Sequence, residues 1–273
     1  MITFPNAKIN LGLNIVSRRP DGYHNIETVF YPIPLTDSLE IVPAEGSEST
    51  LTCYGRVVDC PTEKNLVMKA YRMMEKELGL PPVDIYLVKH IPDGAGLGGG
   101  SSDASFCMKM LNDMFELGCT DEQLAKMASK IGADCPFFIH NKPMMATGIG
   151  DEFTPTDVCL KGKHMLLVKP DVSVPTKAAY AQVTPAPSAK PIPEILSDGM
   201  ENWQKELVND FEKSVFAQYP SLAEIKRTLL DSGASYAAMS GSGSSIFGIF
   251  SCAEMAEKAA DNFKEYSHFV IQL

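Results

Sequence analysis

The sequence predicts a mixed fold of strands and helices, an α+β protein, and three stretches carry that prediction. Residues 7–15 alternate apolar and polar side chains with period two, as a half-buried strand does. A second strand, built on Val83, Ile85, Leu87 and Ile91, runs into Pro92–Ser105, P-D-G-A-G-L-G-G-G-S-S-D-A-S, where five glycines fall within seven residues before helical spacing begins. Near the C-terminus, A-A-M-S-G-S-G-S-S-I-F-G-I-F places a strand, a glycine turn and another strand in succession. The 273 residues suffice for one large domain or two ordinary ones.

Apolar residues make up 45% and charged residues 21%, ordinary for a globular chain. The net charge of −10 argues against holding bulk nucleic acid or an anionic membrane through a general positive field. A nucleotide would need a local site. Seven cysteines with no C-x-x-C pair and no framework spacing point to reduced thiols and a cytoplasmic setting. No basic stretch followed by an apolar run opens the sequence, and no segment reaches membrane-span length, so neither a signal peptide nor a membrane partner is expected.

In the first strand Ala7, Ile9, Leu11, Leu13 and Ile15 form the face expected to be buried, while Lys8 and Asn10 share the opposite face, which on spacing alone is solvated. Arg18–Asn25, R-R-P-D-G-Y-H-N, turns at Pro20, Asp21 and Gly22 and sets Tyr23 and His24 at a loop tip. Ile26–Ile33, Leu39–Val42 and Leu51–Val58 read as further strands. Thr62 is expected to cap a helix carrying Leu66, Val67, Ala70, Met73, Met74 and Leu78, closed by Gly79 and Pro81, with Asn65 in its first turn. Lys89 lies near the end of the strand before the glycines. After them Ala104, Cys107, Leu111 and Phe115 share a helical face, with Ser101 or Ser102 expected as N-cap and Asp103 in the first turn. That helix stops near Gly118, and Thr120 with Gln123 forms a capping box for the next, carried by Leu124, Met127, Ala128 and Ile131. Ile131–Phe138, I-G-A-D-C-P-F-F, ends one helix at Gly132 and starts another turn at Pro136, with Asp134 where a capping aspartate would stand.

Met145–Gly150 reads as a strand and turn closing the first half, Thr154–Lys163 as a crossing between domains, and Met165–Val168 as a buried strand opening the second. Thr176 and Tyr180 are spaced i, i+4 on one face of a short helix. Tyr180 fits a core position equally well. Thr184–Pro193 is a loop rich in proline, alanine and serine. Helices over 200–208, 210–218 and 221–232, the glycine hairpin, a helix over 253–264 and a strand over 268–273 complete the chain.

A glycine turn between a strand and a helix N-terminus lets backbone N–H groups approach an anion, and the helix dipole favours negative charge there. Five glycines exceed what a flexible turn needs, so the loop is a candidate phosphate cradle. Gly94, Gly96 and Gly99 satisfy G-x-G-x-x-G, but a dinucleotide fold requires a second parallel strand after the helix, and here helix follows helix. The Walker A pattern fails as well, because Gly100 stands where its lysine belongs.

The stretch G-A-G-L-G-G-G-S-S-D-A resembles the nucleotide loop of the GHMP kinases, which include galacto-, homoserine, mevalonate and phosphomevalonate kinases. Further motifs stand in family order: P-N-A-K-I-N-L at Pro5–Leu11, D-G-Y-H at Asp21–His24, G-A-D-C-P-F at Gly132–Phe137, P-T at Pro175–Thr176 and G-S-G at Gly241–Gly243. The likeness runs from Pro5 to about Phe250. D-G-Y-H marks the branch of the family whose acceptor carries a cytidine diphosphate. Asp93 and Ser105 depart from the pattern, at positions usually apolar or small.

The resemblance implies the two-domain GHMP kinase fold. Its N-terminal domain, like ribosomal protein S5 domain 2, would cover 1–155 and hold the glycine loop. A ferredoxin-like C-terminal domain over 156–273 would complete the substrate cleft. It also implies a reaction, transfer of a phosphoryl group from ATP to a hydroxyl of a small diphosphocytidyl substrate, with Mg²⁺ as the second cofactor and no metal site built from protein side chains alone. The catalytic residues would be Lys8, facing the transferred phosphate, and Asp134, accepting the hydroxyl proton. Nucleotide contacts would come from Asn65 and Lys89 on the adenine side and from Pro92, Asp93, Gly94, Ala95, Gly96, Leu97, Gly98, Gly99, Gly100, Ser101 and Ser102, with Gly241 and Gly243 near the phosphates. Asn10 and Thr176 would face the acceptor, Tyr23 and Tyr180 would sandwich cytosine, and His24 would bond its edge. The partner implied is a small molecule alone, on a monomer or weak homodimer. Another GHMP small-molecule kinase, of homoserine or mevalonate type, is disfavoured by D-G-Y-H, and a non-catalytic nucleotide-binding module by the presence of both Lys8 and Asp134.

Overall fold

The computed structural model describes residues 1–57 and 60–273. In chain order its elements begin with β1 (Ile2–Thr3), β2 (Asn6–Arg18), β3 (His24–Thr36), β4 (Ser38–Pro43), β5 (Thr50–Gly55), α1 (Leu66–Leu78) and β6 (Val83–Lys89). After the glycine loop come α2 (Gly99–Met114), α3 (Asp121–Ala128), α4 (Cys135–His140), β7 (Met144–Thr147), β8 (Glu152–Pro155) and β9 (His164–Lys169). The rest are α5 (Thr176–Ala181), α6 (Ile192–Ser197), α7 (Met200–Glu206), α8 (Phe211–Gln218), α9 (Pro220–Asp231), β10 (Tyr236–Met239), β11 (Ile246–Phe250), α10 (Ala253–Ala260) and β12 (Ser267–Gln272). β5 ends at Gly55, short of the strand read to Val58; Val58 lies outside the described residues.

The chain divides into two compact units that interleave in sequence. The first is Met1–Ala7, Leu35–Asp93 and Gly98–Lys142. Its sheet has the order β1-β4-β6-β5, with β4 antiparallel and β5 parallel to β6. Alternate residues of β4 and β6 (Leu39, Ile41, Val83, Ile85, Leu87) face a core completed by Val67, Tyr71 and Met74 of α1 and Ala104, Cys107 and Leu111 of α2. Helix α1 is capped by Asn65, whose side-chain oxygen accepts from Val67 N at 2.9 Å. The cap is not Thr62, because Thr62–Lys64 already forms a 3-10 turn. The capping box of Thr120 and Gln123 on α3 is present in both directions.

The second unit is Lys8–Pro34, Gly94–Leu97 and Pro143–Leu273. It holds a sheet of order β2-β3-β7-β8 and an antiparallel sheet of order β10-β11-β9-β12. Leu166, Val168, Ala237, Met239 and Ile246 pack against Phe211 and Val215 of α8, Leu222 and Leu229 of α9, and Ala256 of α10. A single cut at 155/156 does not describe these units. The long β2 and β3 join a sheet with β7 and β8, and so group with the C-terminal part. No helix among the described residues is long and apolar enough to cross a membrane.

Candidate active site

β2 is buried on both faces from Ala7 to Leu13, not on one. Lys8 and Asn10, on the face that spacing alone would give to solvent, are 3% and 2% exposed. A buried ammonium must have acceptors. Lys8 Nζ donates to Asn10 Oδ1 at 2.8 Å and to the Gly96 carbonyl at 3.1 Å, and lies 4.6 Å from the Phe30 ring centroid. Its backbone N–H donates to Leu97 O at 2.9 Å, so β2 and the loop segment Gly94–Leu97 are joined at side chain and main chain.

Gly94, Gly96 and Gly98 have φ of +58°, +75° and +70°, the left-handed region that favours glycine. At Gly96 a side chain is excluded outright, since a Cβ would stand 2.0 Å from Ser240 O. Ser240 is buried and ties three elements together: its hydroxyl donates to Gly96 O at 2.8 Å, accepts from Asn10 N at 3.3 Å, and it begins the S-G-S-G turn. Asn209 supports the same turn, donating to Met239 O at 2.8 Å and Gly241 O at 2.9 Å. Thr176 Oγ1 and Ser242 Oγ stand 3.2 Å apart, so the P-T pair meets this turn. Lys8, Asn10, the loop segment with Gly94, Ala95, Gly96 and Leu97, Thr176, Gly241 and Gly243 are therefore gathered within the second unit.

The remainder of the loop belongs to the first unit. Gly98 is the N-cap of α2, so Ser101 and Ser102 lie inside the first turn and are not its caps; the left-handed Gly98 starts the helix before the serines. Pro92 is buried and Asp93 exposed. At Gly100 a Cβ would meet nothing nearer than Leu66 Cδ1, at 3.7 Å, so the protein leaves this cradle open beside Asn65 and the start of α1. The buried Ser102 hydroxyl has no hydrogen-bond partner among the described residues. An open cradle at a helix N-terminus with an orphaned hydroxyl fits a phosphate group and its cation. Among the described residues there is no group of three or more His, Cys, Asp or Glu side chains that could hold a metal by itself.

The Lys89 ammonium is turned into the protein. It is buried between Asp37, with which it forms a short ion pair, and Asp103 at 2.6 Å. Asp37 Oδ1 also accepts from His90 N at 2.5 Å and Ile91 N at 2.8 Å. Asp103 is thus not a solvated first-turn acid but one end of a staple. It joins α2 to the chain that enters the loop. Burial, with the charge of Asp37, pushes Asp103 up to about 8 against the pull of Lys89. Burial weakens the Lys89 ammonium, but the two carboxylates more than offset it and hold Lys89 above the ordinary lysine value.

The folded state therefore keeps a proton on Asp103 that an unfolded chain, with its carboxyl near 3.8, has lost. Raising the pH from about 4 towards about 8 favours unfolding, and no further loss follows above the folded value. Urea titrations of wild type and Asp103→Asn across this range should diverge by at least ~1.4 kcal/mol, the worth of one pKa unit. Parallel curves would refute the assignment.

Asp134 is half-buried and stands at the N-cap position of α4, but its side chain makes no capping hydrogen bond. The capping role expected of Asp134 is thus not seen in the helix. Buried Phe137 and Phe138 anchor this turn. On the second unit, Tyr180 stacks on His24, ring centroids 5.0 Å apart and planes 18° apart, and meets Phe211 in a T-shaped contact at 4.8 Å. Tyr23 is 61% exposed on its turn. His24, expected to bond the edge of the base, thus packs its ring on Tyr180. The Asp21 side chain that accepts from Tyr23 N shapes the turn.

Thr28 and Ser240 in the second unit and Asp37 in the first are not singled out by sequence reasoning, whereas Asn209 opens N-D-F-E at Asn209–Glu212, a string similar to one in the GHMP kinases. The serine before G-S-G is a signal for Ser240, whereas Asp37 and Thr28 have none.

Residues 65–142 match the family described as GHMP kinases N terminal domain, and residues 189–268 match GHMP kinases C terminal. A 4-diphosphocytidyl-2-C-methyl-D-erythritol kinase of Bacteroides fragilis is 56% identical over 260 residues, 94% of this chain and 95% of that protein. The protein of that name from Parabacteroides distasonis is 54% identical over 269 residues, 98% of this chain and 96% of the relative. A crystal structure of a 4-(cytidine 5'-diphospho)-2C-methyl-D-erythritol kinase has a TM-score of 0.85 at 31% identity, over 99% of this chain and 98% of the other.

Proposed function

Because the chain belongs to the GHMP kinase family, and within it to the 4-diphosphocytidyl-2-C-methyl-D-erythritol kinases, we propose that its glycine loop, Lys8 and Asp134 carry that family's phosphoryl transfer. The protein is a small-molecule kinase with an alcohol as acceptor. It moves the γ-phosphoryl group of ATP to the 2-hydroxyl of 4-diphosphocytidyl-2-C-methyl-D-erythritol, giving the 2-phosphate and ADP, a step in isoprenoid precursor synthesis. The observation that best supports the catalytic assignment is the Lys8 ammonium bound to the carbonyl of Gly96, inside the loop that would hold the phosphates.

Phosphoryl transfer depends on positioning and charge neutralisation more than on covalent chemistry. Backbone N–H groups of the glycine loop and the Ser102 hydroxyl would hold the phosphates. Lys8 would stabilise negative charge on the transferring group. Asp134 would orient the acceptor hydroxyl and take its proton as the new O–P bond forms and the bond to ADP breaks. Mg²⁺ arriving with ATP would neutralise β- and γ-phosphate charge, and Ser101 and Ser102 are the residues that would hold it. His24 and Tyr180 supply aromatic surface for cytosine, and Tyr23 reaches the same base from its exposed turn. We place the enzyme in the cytoplasm as a monomer or weak homodimer acting on small molecules alone; the odd number of cysteines without framework spacing supports a reducing compartment.

The test is ADP release from ATP and Mg²⁺ with the diphosphocytidyl acceptor, against mevalonate and homoserine, in wild type and Asp134→Ala. The cytidyl acceptor alone should react, and Asp134→Ala should lower kcat by ~10²–10⁴ with ATP binding retained. Equal turnover of mevalonate or homoserine would overturn the acceptor assignment, and a fully active variant would remove Asp134 from the chemistry.

A further inference from the structure

We propose that Thr28 is a positioning residue for phosphoryl transfer: its hydroxyl sets the direction of the Asn10 amide, and the amide in turn sets the place of the Lys8 ammonium. The inference rests on the reading of Lys8 given above.

Lys8, Asn10 and Gly12 lie on one face of β2, and Thr28 and Phe30 on one face of its neighbour β3. Thr28 is completely buried, as Lys8 and Asn10 nearly are. An ammonium has donors only, so the Asn10 atom 2.8 Å from Lys8 Nζ is the oxygen. The amide nitrogen must then point the other way, and it donates to Thr28 Oγ1 at 2.9 Å. A threonine hydroxyl has one proton, and Thr28 gives it to Gly12 O at 2.5 Å. Gly12 O can only accept. Gly12 itself, at φ +66°, breaks the regular strand geometry at the carbonyl that Thr28 uses.

The chain of bonds therefore runs in one direction, from Lys8 to Asn10 to Thr28 to Gly12, and cannot be reversed while Lys8 is charged. Another acceptor of Lys8, Gly96 O, receives the Ser240 hydroxyl at 2.8 Å. Ser240 also accepts from Asn10 N at 3.3 Å, so the Asn10 amide and Gly96 O are held in one network that positions the ammonium. Valine has the shape of threonine without the hydroxyl. In Thr28→Val the Asn10 NH₂ is buried without an acceptor, and a flipped amide would turn that NH₂ against the Lys8 ammonium. Either arrangement releases the ammonium from its place without emptying the core. Misplacement on an ångström scale costs up to ~10²-fold in rate.

The experiment measures kcat and both KM values for Thr28→Val and Thr28→Ser with ATP and the diphosphocytidyl acceptor, alongside Lys8→Met and circular dichroism melts. Thr28→Val should fold and lose ~10–100-fold in kcat, with both KM values within about twofold, and Thr28→Ser should stay within about threefold of wild type. A Thr28→Val enzyme keeping more than half of wild-type kcat would overturn the proposal. So would a loss expressed in KM alone, or a serine variant as slow as the valine. If Thr28→Val does not fold, Thr28→Ala against Thr28→Ser decides, because those two differ only in the hydroxyl: about tenfold in kcat between them supports the proposal, and less than about threefold overturns it. An active Lys8→Met enzyme would instead remove the reading of Lys8 on which the proposal stands, an outcome visible whatever Thr28 does.

Discussion

Replacing Lys8 with methionine is expected to lower kcat by ~10³-fold while leaving the protein folded and ATP bound. The magnitude follows from the environment of the ammonium. It is buried, so its charge is screened by little water, and its two acceptors, Asn10 Oδ1 and Gly96 O, hold it in place before substrate arrives. Removing one preorganised donor from such a site costs ~10²–10³, and removing a cation aimed at a transferring phosphoryl group costs ~10³–10⁵. Methionine keeps the length and most of the volume of the lysine stem, so packing over Phe30 survives. Gly96 O retains its bond from Ser240, and the orphaned Asn10 oxygen costs ~1–3 kcal/mol. The KM for ATP should change by less than about threefold, because the cradle is made of backbone. Steady-state kinetics with a thermal melt checks all three, and a kcat within tenfold of wild type would remove Lys8 from the chemistry. Arginine is not expected to rescue, since its planar fork cannot occupy the place of a point charge between two fixed acceptors.

Gly96→Ala should be the most disruptive single-methyl change in the loop. The backbone there is at φ +75°, which costs an L-residue ~1–2 kcal/mol. The added Cβ would meet Ser240 O at 2.0 Å, a backbone atom that cannot swing aside, and forced overpacking costs a further ~1–3 kcal/mol. The melting temperature should fall by roughly 5–15 °C. Relief of the clash must separate the loop from Ser240 and displace the carbonyl that receives Lys8, so kcat should fall with stability and the KM for ATP should rise at least ~10-fold. Gly100→Ala is the internal comparison. Its Cβ would make only ordinary contact, 3.7 Å from Leu66 Cδ1, within a helix that favours alanine. It should leave the melting temperature unchanged or slightly raised, and raise the KM for ATP only if phosphates approach that backbone. A Gly96→Ala protein with wild-type stability would contradict the packing seen at Ser240.

Much of the local architecture is legible in the amino-acid order alone. Period-two alternation marks β2, β6 and the strands around them, and helical spacing with a capping box marks α3. The glycine loop stands out by composition; the second helix that follows it rules out the dinucleotide pattern, and Gly100 in place of the lysine rules out Walker A. Boundaries governed by close competition slip by a few residues: Asn65 caps α1 where Thr62 has the right chemistry, and Gly98 starts α2 ahead of two serines. In each case a neighbouring backbone conformation, the 3-10 turn or the left-handed glycine, takes the position first.

The amino-acid sequence by itself determined the type of most elements, the order of the motifs and the position of the glycine loop, because periodicity and glycine content act within a few residues of themselves. Only the tertiary structure decided that Lys8 and Asn10 lie on a buried face, that the Lys89 ammonium turns inward to two carboxylates, and that Thr28, Ser240 and Asn209 hold the site in shape. Those outcomes depend on partners 14 to 230 residues away in the chain. Alternation reports which side chains share a face, and whether that face meets water is settled by segments that arrive from elsewhere. A polar side chain on a strand is written identically in both cases, and its burial shows only once donors and acceptors have been brought together.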